Sequence, residues 1–207
     1  MALCTVLILV RAAEPVPNTM TKVVVRSVLP SLPQDSFARL PKTHYRSGSH
    51  FARTEEQLDP RLNLRGLIIS NMRDTWLINL ETKTANHIVD RAETFDIYMP
   101  LLPLDPRKHR KSPLRKFEIG NEIAYMIDHK AQKEELADGK QKYTLEQERF
   151  KIEVIATTGS EVQPLEVRAY QDQHLVTSLR YDDFDTSLPF KPELFECPEG
   201  ISIVDAN

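Results

Sequence analysis

The sequence of 207 residues has only six glycines, and they lie far apart along the chain. A loop that cradles nucleotide phosphates needs closely spaced glycines, and neither such a loop nor a G-x-S-x-G nucleophile motif is present. The net charge of −3 and the isoelectric point of about 6.1 give no broad basic field. The composition therefore argues against a nucleotide cofactor and against nucleic acid as a partner.

Residues that could catalyse a reaction or bind a metal are scattered. The six histidines show neither H-x-x-x-H nor H-x-H spacing, which gives a metal site no support. Neighbouring carboxylates such as Glu55 and Glu56, or Asp182 and Asp183, would point to opposite faces of a strand and could not act on one substrate. We therefore expect a protein that is not an enzyme, with no catalytic residue, no metal and no cofactor.

Long hydrophobic runs are also missing, and the longest apolar stretch stands at the start of the chain. Residues Ala2 to Val10 are too few to span a bilayer but have the length of the apolar part of a secretory signal peptide. The small residues Ala12 and Ala13 suit cleavage. The sequence predicts a signal peptide over residues 1–13, hence an exported protein without a transmembrane segment.

The domain organisation follows from that start. After a proline-bearing linker over residues 14–20, we expect one domain over residues 21–207. The competing interpretation of the first residues is a buried strand, for which Val6 to Val10 would serve. Removal of a signal peptide would leave Cys197 as the one cysteine, so that no disulfide could form within the chain.

Most of the chain has the pattern of β-strands separated by short polar turns, which is typical of an antiparallel meander. Apolar and polar residues alternate most clearly in residues 75–81 and 150–154. Strands are predicted from Thr21 up to the prolines at 30 and 33, over 44–56 with a bulge at Gly48, and over 64–70, 75–81, 85–90, 143–158 (as one strand or two), 164–171, 174–184 and 201–204.

The middle of the chain has a different pattern. Residues 99–113 contain four prolines and a basic cluster, which predicts an exposed loop. The basic cluster is either a solvated face or a docking patch for an acidic partner or anionic lipid headgroups. Residues 114–128 suit an amphipathic helix, which Gly120 weakens, and the charged residues 130–142 suggest a mobile segment.

The apolar face of the predicted sheet must be covered, because large exposed apolar patches are rare in soluble monomers. Either it packs against other side chains, or it lines a cavity capped by the helix and the proline-rich loop. Such a cavity would suit acyl chains, which gain about 0.8 kcal/mol for each buried methylene and need no catalytic group. The residues predicted to form this wall are Leu67, Ile69, Trp76, Ile78, Leu80, Phe150, Ile152 and Val154.

Four segments carry a resemblance to a known family: PKTHYRSGSHFARTEE, DTWLINLETKTANHIVD, FEIGNEIAYM and LFECPEGISIVD. In this order they resemble bacterial proteins of the LolA-like superfamily, which comprises periplasmic lipoprotein carriers and related exported proteins. The ending, with Phe195, Pro198, Gly200, Ile201 and Val204, is the most carrier-like part. The middle segments resemble an uncharacterised exported branch more than the carriers themselves.

The resemblance implies a mainly β (α+β) fold, in which a curved antiparallel sheet forms an incomplete β-barrel around an apolar cavity and helices serve as a lid. It also implies a periplasmic location in a Gram-negative-type envelope. The carriers hold the lid shut with an arginine near the second strand. Arg53 lies in a comparable place, but its surroundings depart from the carrier pattern, so this role is not carried over to it. The insertion around residues 107–116 is not carrier-like either.

The function predicted on these grounds is that of a monomeric, non-enzymatic periplasmic carrier or binding protein. It would hold lipid or lipoprotein acyl chains in the apolar half-barrel. The alternative is a cell-envelope sensor of the same architecture, like the anti-sigma-factor regulators, that binds a protein partner. A third interpretation, an enzyme acting on envelope lipid or glycan, would need a converging polar cluster, and His87 and Asp90 are the residues on which to test it.

Overall fold

The computed structural model describes residues 17–91, 97, 99–104 and 112–204, and its chain is mainly β. The strands are β1 (Thr19–Ser27), β2 (Lys42–Ser47), β3 (Phe51–Asp59), β4 (Leu64–Asn71), β5 (Asp74–Asn79), β6 (Thr84–Val89), β7 (Gln132–Leu136), β8 (Lys140–Gln147), β9 (Phe150–Thr157), β10 (Pro164–Gln171), β11 (His174–Pro189) and β12 (Ser202–Ile203). The described helices are α1 (Glu122–Asp128) and three short 3₁₀ helices, Phe37–Arg39, Pro113–Lys116 and Pro192–Phe195.

All twelve strands belong to one open, curved sheet in the order β12-β6-β5-β4-β3-β2-β1-β11-β10-β9-β8-β7. Strands β1 to β6 form one antiparallel meander and β7 to β11 form another. The long pairing of β1 with β11 joins the two halves. Only β12 runs parallel to its neighbour, β6. The mainly β, antiparallel class that the sequence predicts is confirmed.

Tight turns connect the strands of each meander. Each two-residue turn contains a residue in the left-handed conformation that such hairpins require, namely Met72, Glu148 and Asp172. The longer turn between β5 and β6 contains Lys83 in the same conformation. Gly48, with φ of 56°, lies in the three-residue turn between β2 and β3. The predicted bulge within a single strand 44–56 is therefore wrong, because this stretch folds back as the hairpin of β2 and β3.

The exposed loop predicted over 99–113 is wrong for its first residues, because Met99, Leu101, Leu102 and Leu104 are buried in the hydrophobic core.

Two further predictions for the middle of the chain are corrected. Residues 130–142, expected to be mobile, contain β7 and the first residues of β8. Strand β7 lies at the edge of the sheet with its charged side chains in solvent, so no apolar alternation marks it in the sequence. The single helix predicted over 114–128 is instead a 3₁₀ helix and α1, separated at Gly120, whose φ is 83°. Residues 143–158 form two strands, one of the two forms predicted.

The sheet has two faces, and directly paired residues point to the same one. On one face Val23 pairs with His44, His44 with Thr54 and Thr54 with Ile68. In the other direction Val23 pairs with Phe184 of β11. We call this the helix face, because α1 packs on it, and the opposite one, which the end of the chain contacts, the tail face.

The two halves of the sheet bury opposite faces. In the half made of β8 to β11, the helix face is covered by the residues that precede and form α1. The covering side chains include Leu101, Leu102, Leu114, Phe117, Tyr125 and Met126. In the half made of β3 to β6, the tail face is covered by residues 190–201, with Phe195 fully buried. The sheet therefore has two separate cores. Within the described residues, no helix is both long and apolar enough to cross a membrane.

Candidate functional site

A cleft of about 370 Å³ lies on the helix face, between strands β1, β2 and β11 and residues 100–103. This volume falls in the range typical of small-molecule sites, roughly 300–1,000 Å³. The apolar residues of its wall are Val25, Leu29, Ala38, Leu101, Leu102, Ile119, Val176 and Leu179. The cleft thus lies at the edge of the covering segment, where the two halves of the sheet meet.

Hydrogen bonds hold the covering segment over the cleft. The amide N–H of Leu101 donates to the Phe117 carbonyl at 3.3 Å, and that of Ile119 donates to the Met99 carbonyl at 3.0 Å. The hydroxyl of Thr177, on β11, donates to the Leu101 carbonyl at 3.3 Å. The apolar wall of the cleft is therefore attached to the sheet by a side chain of the sheet itself.

The ionisable residues of the cleft are neutral or ion-paired. Arg26 Nη2 lies 3.1 Å from Asp182 Oδ1, although its Nε has no hydrogen-bond partner among the described residues. His44 is buried, its Nδ1 lies 2.9 Å from Thr54 Oγ1, and burial lowers its pKa to about 4, so the ring is neutral near pH 7. The ammonium of Lys42 lies 2.5 Å from Glu56 Oε1 and above the Phe37 ring. With the histidine neutral and the lysine paired, the site suits an apolar ligand better than an anion.

A second cavity, of about 510 Å³, lies on the helix face above β4, β5 and β6. The covering segment does not reach Ile68 and Leu77 here, which are 38% and 40% exposed. The Glu56 carboxylate packs directly against Gly66. A side chain at position 66 would clash with it, since a Cβ would lie 2.2 Å from Glu56 Oε2. The ion pair of Lys42 and Glu56 therefore stands between the two cavities.

A buried carboxylic acid lies under α1. Glu122 is fully buried, and its Oε1 accepts hydrogen bonds from the Tyr181 hydroxyl and from the Gly120 N–H. Its Oε2 has no hydrogen-bond partner among the described residues. Burial raises the pKa of Glu122 to about 7 and that of Tyr181 well above its usual value. Next to it, Arg46 of β2 forms an ion pair with Glu118.

The eight residues predicted to form one apolar wall are divided between the two cores. Those of β4, β5 and the turn after it lie with the tail-face core, and those of β9 lie in the helix-face core on the opposite side of the sheet. The first group is Leu67, Ile69, Trp76, Ile78 and Leu80, and the second is Phe150, Ile152 and Val154. The structure does not bring the groups together, and none of the eight lines the 370 Å³ cleft. Leu67 and Ile78 do contribute to the second cavity. Contact of these residues with a ligand stays a prediction.

The cleft residues were missed because they depend on the pairing of β1 with β11. The alternation in β1, where Val23 and Val25 share a face, is the one pattern in the sequence that indicates a wall of the cleft. No local pattern indicates that Val176 and Leu179 would lie beside them.

Other residues discussed from the sequence have structural partners. Arg53 lies on the tail face, where its Nη1 donates to the Leu194 carbonyl at 2.8 Å, so it holds the end of the chain and not α1. His87 lies 2.7 Å from Asp74 Oδ1 and stacks on Trp76.

Parts of the predictions lie outside the described residues, namely the signal peptide and most of the basic loop. Among the residues that the structure does describe, no group of three or more His, Cys, Asp or Glu side chains is arranged to hold a metal ion.

Comparison with known proteins establishes the fold and leaves the family open. No protein-family model and no curated protein sequence matches this chain. A solved structure, that of an uncharacterized conserved protein from Thermus thermophilus, is similar with a TM-score of 0.51 and 12% identity, over 91% of each chain. At this identity the similarity shows a shared fold alone.

Proposed function

We propose that the protein is a non-enzymatic binding protein that holds the acyl chain of a lipid or lipoprotein in the cleft of the helix face. The observation that carries this proposal is the cleft itself, whose walls are mostly apolar and whose volume is about 370 Å³. Its histidine is neutral, and its two cations, Lys42 and Arg26, are paired with Glu56 and Asp182, so that no uncompensated charge faces a hydrocarbon chain. Each methylene buried there would contribute about 0.8 kcal/mol to binding.

In this proposal the curved sheet acts as an incomplete barrel, and residues 97, 99–104 and 112–131, which include α1, act as its lid. The support is that these residues cover one half of the helix face and form one side of the cleft. Reversible exposure of the cleft would then need movement of the lid relative to β11. The resemblance to LolA-like proteins and the apolar start of the chain favour a periplasmic protein that works as a monomer.

Binding can be tested with a pair of lysine substitutions. Leu179 is half-buried in the wall of the cleft, while Leu77 lies in the second cavity on the same face. Native mass spectrometry of the purified protein with dipalmitoyl phosphatidylethanolamine should show a lipid adduct. Leu179→Lys should weaken it about tenfold or more, because a charge replaces an apolar contact of roughly 2 kcal/mol. Leu77→Lys should bind like the wild type. Absence of any adduct in the wild type, or equal binding by both variants and the wild type, would refute the site.

Binding of a protein partner is the second candidate function, favoured by the exposed apolar side chains on the helix face of β4 to β6. Ile68, Leu77 and Ile88 are 38%, 40% and 49% exposed there, and Val204 lies beside them. Exposed apolar patches mark interaction surfaces. If this function is the main one, Leu77→Lys should abolish recovery of a partner from an envelope extract while Leu179→Lys leaves it unchanged.

A further inference from the structure

We propose that Glu122 is a proton-dependent latch that holds α1 against β11, so that loss of its proton releases α1 and opens the cleft. The inference concerns regulation of the site described above. Its link to ligand release rests on the proposed function, whereas the opening of α1 does not. It stands on the position of one buried carboxyl group between the lid and the sheet.

The contacts of Glu122 join three elements. Glu122 is the first residue of α1, and through Tyr181 it is bonded to β11. Through the Gly120 N–H it also holds the turn that precedes the helix. Ile119, the residue before that turn, belongs to the wall of the cleft. Release of Glu122 would therefore loosen the cleft wall only three residues away.

The charged state of this carboxyl group is poorly accommodated where it lies. Oε1 accepts two hydrogen bonds, but Oε2 has no partner among the described residues, so an ionised carboxylate would be buried with one oxygen unsatisfied. A protonated carboxyl keeps both hydrogen bonds to Oε1 and carries no charge. Burial accordingly raises the pKa of Glu122 from 4.5 to about 7.

The groups that face Glu122 do not remove this penalty. The nearest cation is Arg46 of β2, which is engaged with Glu118 of the preceding turn. Tyr181 of β11 is a neutral donor with a raised pKa. Strand β1 presents the uncharged Thr21 next to Gly120. On α1 itself, Asp128 lies at the far end and is exposed.

The expected effect follows from linkage between protonation and opening. With a carboxyl pKa of about 7 in the docked state and 4.5 when exposed, the open population should rise roughly 70-fold between about pH 5 and pH 8. Its sign is fixed: opening is favoured by high pH, because the docked state binds the proton more tightly.

Hydrogen–deuterium exchange of the amides of residues 119–129 measures this opening. After correction for the intrinsic pH dependence of exchange, protection in the wild type should fall roughly 70-fold over the range given above. Glu122→Gln, which is neutral at every pH, should keep its protection. Asp128→Asn, a matched change at the other end of the same helix, should behave like the wild type. A wild type and a Glu122→Gln variant with the same pH dependence would overturn the latch.

A second variant keeps the test valid if the glutamine variant does not fold. Tyr181→Phe removes a donor that favours the ionised form, so the midpoint of opening should move to a higher pH. An unchanged midpoint, or one moved to a lower pH, would also overturn the proposal.

Ligand release is followed separately with N-phenylnaphthylamine, an apolar dye that stays neutral over the whole range. Its dissociation should become faster with rising pH in the wild type and not in Glu122→Gln. Dye binding combined with pH-independent exchange would refute the latch and leave the proposed function standing. Failure of the dye and of phospholipid to bind, combined with pH-dependent exchange, would refute the proposed function and leave the latch standing.

Discussion

Phe195 shows how single side chains hold the end of the chain against the sheet. Its ring is fully buried, lies 5.6 Å from the Phe51 ring and is stacked at 5.4 Å from that of Phe190. Asn71 Nδ2 donates to its carbonyl at 3.2 Å. The 3₁₀ helix that ends at Phe195 therefore inserts one large side chain into the tail-face core, and Phe195 is the fully buried residue of this segment.

Phe195→Ala should destabilise the protein by about 3–5 kcal/mol, because it leaves a cavity among the aromatic rings of the tail-face core. Leu62→Ala, at a site that is 70% exposed, should change the free energy of unfolding by less than about 0.5 kcal/mol. Urea unfolding followed by far-UV circular dichroism measures both. A loss below about 1 kcal/mol for Phe195→Ala would show that the end of the chain does not cover the tail face in solution.

Local alternation could predict which residues share a face, but not which face is covered or by what. Phe150, Ile152 and Val154 alternate with charged residues, and all three are buried as expected. Trp76 also alternates cleanly, yet it is only partly buried, and the residues that cover its face come from the far end of the chain. What covers a strand is decided by contacts distant in sequence, and the pattern within the strand does not contain them.

At the scale of elements, most strands could be predicted and the helix only in part. The positions of β4, β5, β6 and β10 match the predicted stretches within a residue or two, because polar turns bound each apolar run. The turn between β8 and β9 was harder to predict. It contains Glu148 with φ of 56° instead of glycine, asparagine or proline, so its composition does not mark it.

Gly120 determines where α1 begins. Its φ of 83° is one that glycine adopts freely and other residues rarely do, and a Cβ at this position would lie 3.3 Å from Thr21 Cγ2. The backbone turns here between the 3₁₀ helix and α1, which places Glu122 against Tyr181 of β11.

Gly120→Ala should therefore cost about 1–2 kcal/mol from the backbone conformation alone, with a further loss from the contact with Thr21. Gly200→Ala is the matched control, since φ is 76° and no atom lies within 4 Å of the added Cβ. Thermal or urea unfolding measures the loss of stability in each variant. The loss in Gly120→Ala minus the loss in Gly200→Ala is the cost of the contact with Thr21. Equal losses for the two would mean that β1 does not approach this turn closely.

On the scale of the whole molecule, the pairing of β1 with β11 decides how the two halves are arranged. Lys22 and Asp183, which form an ion pair across it, are 161 residues apart in the chain. No local pattern predicts this pairing. The sequence therefore predicts one apolar wall, whereas in the structure one half of the sheet buries its helix face and the other half its tail face. The cleft forms where the two halves meet.

Two buried titratable groups, His44 in the cleft and Glu122 at the start of α1, give the whole molecule opposing responses to pH. Burial lowers the pKa of His44 from 6.5 to about 4, so its contribution to stability is fully present above pH 6.5 and is lost as the pH falls through 4. Burial raises the pKa of Glu122 from 4.5 to about 7, so its contribution is fully present below pH 4.5 and is lost as the pH rises through 7. Between pH 4.5 and 6.5 the two slopes act against each other.

Glu122→Gln should remove one of these slopes and expose the other. Relative to the wild type, its free energy of unfolding should rise by roughly 1.4 kcal/mol for each pH unit, hence by about 3 kcal/mol over the two units in which the slopes overlap. The free energy of unfolding of His44→Gln relative to the wild type should fall with rising pH over the same interval. This variant retains Glu122, whose protonated form stabilises the folded state. Urea unfolding at three pH values across this interval measures all three proteins under the same conditions. If the free energies of unfolding of the two variants differ from that of the wild type by amounts that do not vary with pH, these side chains are not buried in the folded protein. Opposite pH slopes of similar size for the two variants would show that both His44 and Glu122 are buried.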